Sequence, residues 1–106
     1  MIEIKKEGPN AYHFYLKTRE GHTLLKSTAF SSKEEIDAVV DQLPALIDNP
    51  AVFERQTSHD GKFLFQLRDV GGKPLGSSQY YNSEAGMENG IKNLKNSIAN
   101  PRTRNL

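Results

Sequence analysis

A shift of 51 residues lays this 106-residue chain onto itself without a gap, and that internal repeat constrains the fold more than any other feature. Phe14 falls on Phe65, Leu16 on Leu67, Gly21 on Gly72, Leu24 on Leu75 and Ser27 on Ser78. Ser32 falls on Ser83, Leu43 on Leu94, and Ile47-x-Asn49-Pro50 on Ile98-x-Asn100-Pro101. With Glu3 on Glu54, residues 1–51 share eleven identities with residues 52–102. Conservative pairs such as Tyr12/Phe63, Phe30/Tyr81 and Ile36/Met87 lie between them. The matched positions are periodic apolar residues and turn glycines, which are the positions a shared fold would hold fixed.

Each unit reads as three strands and a helix. Ile2 and Ile4 alternate with polar neighbours, as on a strand with one buried face. After the turn cluster Glu7-Gly8-Pro9-Asn10, Tyr12, Phe14 and Leu16 alternate with His13, Tyr15 and Lys17. Thr23–Thr28 reads as a third strand whose parity breaks between Leu24 and Ser27, which points to a bulge. Ser32-Lys33-Glu34-Glu35 is a capping box, and Ile36, Val39, Val40, Leu43 and Ile47 form one helical stripe. Pro44 is expected to kink or end that helix, because it lacks an amide donor.

The second unit repeats the order. Strands are expected at Val52–Gln56, at Phe63, Phe65 and Leu67, and at Lys73–Tyr80. A helix capped by Ser83 carries Met87, Ile91, Leu94 and Ile98. Gly86 and Gly90 weaken it by about 1 kcal/mol each and share a face, where close approach by another backbone is expected. Of the adjacent Tyr80 and Tyr81, only one can point into the core.

Neither unit can bury a core by itself. The prediction is one α+β domain over residues 1–106, with tandem β-β-β-α(-β) repeats at 1–51 and 52–102. They should form one mainly antiparallel sheet with both helices on one face and a pseudo-two-fold relation, a monomer that mimics a dimer. The first unit alone should be unfolded or should dimerise.

These residues resemble the YegP-like proteins, a family of small, uncharacterised bacterial proteins. The likeness rests on Tyr12–Lys17, Glu20-Gly21 and Ser27–Ser32 with its capped helix, then on Phe63–Arg68, Gly71-Gly72, Ser77–Ser83 and the two Asn-Pro helix ends. It covers nearly the whole chain. It implies a β-β-β-α-β unit, used in tandem or as a dimer, with C-terminal strands exchanged between units. It implies no activity and no catalytic residue. Pro44 departs from the pattern.

The residues carry no catalytic or metal-binding constellation. Cysteine is absent, which excludes disulfides, thiolate nucleophiles and cysteine-based zinc sites. His13, His22 and His59 lack metal-ligand spacing. Ser58-His59-Asp60 holds triad residue types, but adjacency cannot place serine and aspartate on opposite nitrogens of one imidazole, so it reads as a turn. Gly71-Gly72-Lys73 lacks phosphate-loop spacing, and Glu34-Glu35 complement a helix dipole. No cofactor is expected.

The net charge of +1 gives no strong global field, although Lys33–Asp48 holds five acids and Ile91–Leu106 holds four bases without an acid. No apolar h-region follows Met1 and no run suffices for a membrane span, so a cytoplasmic protein without membrane partners is expected.

The candidate surface is the wet face of the central strands: His13, Tyr15 and Lys17, with Leu64, Gln66 and Arg68, and Lys5 nearby. The expectation is a non-enzymatic binding or interaction module for a protein or small ligand. Weak single-stranded nucleic-acid binding through the same face is the alternative, without the expected RNA-recognition motif. A small hydrolase or transferase is a third reading.

Overall fold

Alternation of apolar and polar residues builds five of the six strands: β1 (Ile2–Lys6), β2 (Tyr12–Lys17), β3 (Thr23–Ser27), β4 (Phe53–Thr57) and β5 (Phe63–Arg68). The sixth, β6 (Pro74–Ser78), begins at a proline. Two helices, α1 (Lys33–Leu46) and α2 (Glu84–Ala99), follow the third strand of each half. The structure is a computed structural model and describes residues 2–99. The Asn100-Pro101 helix end and the bases Arg102 and Arg104 lie outside the described residues.

The sheet order is β1-β2-β3-β6-β5-β4, with every paired strand antiparallel. The halves therefore meet along one seam, β3 against β6, and β4 crosses to the far edge after α1. Lys26 stands opposite Ser77, the residue 51 positions on, so a pseudo-two-fold axis passes through that pair. Both helices cover one face. α1 packs over β2, and α2 spans β2, β3 and β5. Ile2, Phe14, Leu16, Leu25, Phe65 and Leu67 meet Ile36, Val40, Leu43, Leu94 and Ile98 in one core, each 0% exposed. No helix among the described residues is long and apolar enough to cross a membrane.

The expected bulge is present. Leu16 pairs with Leu25 and Lys17 with Thr23, which leaves Leu24 as the extra residue; Leu75 has the same place in the other half. The β2–β3 and β5–β6 hairpins turn on Gly21 and Gly72, at φ 91° and 88°, where a side chain would be strained.

Beyond Ser27, β3 leaves β2 and rejoins it only at Phe30, which exchanges backbone hydrogen bonds with Tyr12 at 2.8 Å. In the gap the Ser27 hydroxyl accepts from the Phe14 amide at 2.8 Å and donates to the Thr28 carbonyl at 2.7 Å. Ser78 does the same for Phe65 and Gln79, at 2.9 and 2.8 Å. These two serines are the buried polar residues of the core region. Ser78→Ala is expected to leave the Phe65 amide without a partner and to cost about 1–3 kcal/mol, measured by urea denaturation.

Three expectations need correction. The helix does not end at Pro44: α1 runs to Leu46, and the Ile47 amide still reaches the Leu43 carbonyl at 3.0 Å. The proline sits in the last turn, where one missing donor disturbs few following residues. The fourth strand begins at Phe53, because Pro50–Val52 forms a 3-10 turn capped by the Asn49 side chain on the Ala51 amide. Beside Gly86 and Gly90 lies the ring of Tyr81, and no foreign backbone approaches. A Cβ on Gly90 would collide with the Tyr81 hydroxyl and come within 2.6 Å of its Cζ. The first half has Phe30 and Val39 at the equivalent places, a smaller ring against a larger helix residue. Tyr81 packs inward and Tyr80 is 65% exposed.

Candidate functional site

The sheet face opposite the helices is open, and strand parity sets what it shows. Phe14 and Leu16 point to the helices, so His13, Tyr15 and Lys17 point away. Register then aligns a row across all six strands: Glu3, Tyr15, Lys26, Ser77, Gln66 and Glu54, each paired with the next. At about 4.8 Å per strand the row spans about 24 Å.

The first half gathers charge around one aromatic ring. Lys5, Lys17 and Lys26 place their ammonium groups 5.2, 5.8 and 5.7 Å from the Tyr15 ring centroid. That is within the range in which a cation is attracted to a ring face. The Tyr15 hydroxyl donates to Glu7 Oε1 at 2.6 Å. Desolvation, then that hydrogen bond, pushes the phenol up to about 12, so it stays protonated at neutral pH. Glu7 is held below the usual carboxylate range, chiefly by the same hydrogen bond.

Glu3 accepts from Lys17 Nζ at 2.9 Å and lies 3.3 Å from Lys5 Nζ. Its carboxyl is lowered first by the Lys17 hydrogen bond. His13 donates through Nδ1 to the Ser27 carbonyl at 3.0 Å, leaving Nε2 3.8 Å from Glu7. Lys26 is exposed, and no carboxylate among the described residues lies within ion-pair distance of it.

Gln66 and Arg68 share the face but not the cluster. Arg68 is committed to Glu54 at 3.0 Å, to Gln66 Oε1 at 2.9 Å and to the Gly72 carbonyl at 2.8 Å. Alternation pointed to His13, Tyr15 and Lys17 in the sequence, but Lys26, Ser77 and Glu7 went unnoticed. The bulge at Leu24 shifts the parity of β3 and hides Lys26; only the pairing register puts it beside Tyr15.

The other motifs are local structure. Ser58 Oγ donates to Asp60 and accepts from the Lys62 amide at 3.1 Å, closing a turn with no role for His59 in it. Asp69 Oδ1 accepts from the Gly71 and Lys73 amides, each at 2.9 Å, so the Gly-Gly-Lys segment is a hairpin tip. A separate, open cleft of about 320 Å³ lies between α1 and that tip, lined by Val39, Leu46, Val70 and Leu75 among others.

A family model described as a domain of unknown function, DUF1508, matches residues 58–103. YegP of Escherichia coli K12, a UPF0339 protein, is 30% identical over 94 residues, covering 89% of this chain and 86% of that one. The chain belongs to the UPF0339 family. A UPF0339 protein of Pseudomonas aeruginosa is 28% identical over 94 residues, with 89% and 86% coverage. The solution NMR structure of a UPF0339 protein from Shewanella oneidensis superposes with a TM-score of 0.89 at 23% identity, covering 98% of this chain and 87% of that one. That of E. coli YegP gives 0.86 at 28% identity, with 98% and 89% coverage. The UPF0339 family is of unknown function, so its six-stranded α+β architecture is shared while any role for this chain has to come from its own surface.

Proposed function

We propose that this chain is a non-enzymatic binding module whose outer sheet face, centred on Tyr15, holds a protein or small ligand bearing a compact acidic group. The observation that carries this reading is internal. The second half builds the same strands with Gln56, Leu64, Gln66 and Ser77 where the first half has Lys5, His13, Tyr15 and Lys26. The fold therefore does not require the lysine-ringed tyrosine, which is a reason to assign it to recognition. Lys26 supplies a charge without an internal partner, and Tyr15 a rigid, amphipathic contact surface.

Single-stranded nucleic acid fits less well. The cross-sheet row ends in Glu3 and Glu54, and Lys17 and Arg68 already serve those carboxylates, so a polyanion would find few free cations along its path. The repeats 1–51 and 52–102 are proposed to act as one monomeric pseudo-dimer with one such site. Its proposed compartment is the cytoplasm, in keeping with the absence of cysteine.

The test is a bait comparison in host lysate, with and without nuclease. Lys5→Gln, Tyr15→Gln and Lys26→Ser, combined, install the residues that the second half already tolerates. The triple variant is expected to keep a cooperative unfolding transition and to lose at least tenfold in recovered, nuclease-resistant partner. Equal recovery by both baits rejects the face as the site. Recovery that vanishes with nuclease selects the nucleic-acid reading.

A further inference from the structure

The seam between the halves is not symmetric, although the axis through Lys26 and Ser77 would make it so. Leu25 stands opposite Ser78, and Ser27 opposite Gly76, so Leu25 and Gly76 are equivalents facing each other diagonally across the axis. Leu25 is fully buried. A Cβ on Gly76 would lie 2.6 Å from Leu25 Cδ2, 2.7 Å from the Lys26 carbonyl oxygen and 3.0 Å from Ser27 Cα. Two of those three atoms are backbone and cannot turn aside. One leucine therefore fills the space beneath the axis that a symmetric seam would divide between two side chains.

We propose that Leu25 and Gly76 make the β3 edge selective for one kind of partner, a strand with glycine at the Gly76 position. Such a strand is β6 of the same chain or, in an exchanged dimer, of another copy. Two first halves cannot pair in this register, because a second Leu25 would occupy the place where even a Cβ does not fit. Two second halves would face each other with two glycines and leave the space empty. Selective pairing also fixes one Tyr15 cluster per six-stranded sheet, since a first-half pair would carry two and a second-half pair none.

The full-length chain tests this through a double-mutant cycle of Leu25→Ala and Gly76→Ala, read as urea midpoints. Gly76→Ala is expected to lower the midpoint clearly in the wild-type background. In the Leu25→Ala background the same change should lower it by less than half as much, with the Lys26 carbonyl contact accounting for the remainder. Shifts that simply add overturn the proposal. If Gly76→Ala yields no folded protein, the exchanged chain Leu25→Gly with Gly76→Leu takes its place. A cooperative transition in that chain upholds the selective seam, and an unfolded exchanged chain contradicts it.

Discussion

Residues 1–51 expressed alone are expected to show no cooperative unfolding and to sediment as a monomer. The same fragment mixed with residues 52–106 should recover the full-length circular dichroism spectrum. The reason is the distribution of the core. Within the first half, Phe14, Leu16 and Leu25 lie on the helix face of the sheet, but α2 of the second half covers β2 and β3. Removing α2 and β6 exposes that apolar surface and strips β3 of its partner, while a chain of about 50 residues has little else to hold it together. Self-association, the usual escape for such a fragment, is blocked at the seam by Leu25. Far-UV circular dichroism and analytical ultracentrifugation decide the matter: a folded monomer of 1–51 contradicts the interlocked core, and a folded homodimer contradicts the selective seam.

Phe65→Ala is expected to destabilise the full chain by about 3–5 kcal/mol, the usual cost of deleting a fully buried phenylalanine. Phe65 is 0% exposed and lies between Phe53, edge-on at 6.0 Å between centroids, and Tyr81, stacked at 6.5 Å. Its removal leaves a cavity between β5 and the helix layer, and neither neighbouring ring can fill it without leaving its own contacts. Because domains of this size are stable by only about 5–15 kcal/mol, such a loss should lower the thermal midpoint by tens of degrees or abolish the transition. Tyr80→Ala, at an exposed position, is the matched control and should change stability by less than about 0.5 kcal/mol. A Phe65→Ala chain as stable as that control contradicts the packing described here.

Much of this architecture was readable from the residues, because the repeat marks its core twice. Ser27 and Ser78 match at the same step as Phe14 and Phe65, and the structure joins them by the same hydrogen bond in each half. What escaped depends on pairing between segments far apart in sequence. The place of Lys26 on the axis follows from the β3–β6 register, which no local pattern encodes. The reason for Gly90 is a tyrosine nine residues earlier that folds back onto its helix, and the reason for Gly76 is a leucine in the other half. Pro44 misled because its cost depends on how much helix follows it, and here only Ala45 and Leu46 do. The candidate site divided in the same way: alternation found Tyr15 and Lys17, while only the sheet register brought Lys26 and Ser77 beside them.

The role proposed for the Tyr15 face is tested most directly by amide NMR spectra of the ¹⁵N-labelled full chain, recorded before and after addition of unlabelled host lysate. Shift changes or broadening centred on Lys5, Tyr15, Lys26 and Ser77, and absent from the same spectra of the triple variant, are the predicted result. Perturbation confined to the cleft at Leu46, Val70 and Leu75, or no perturbation at all, would contradict it.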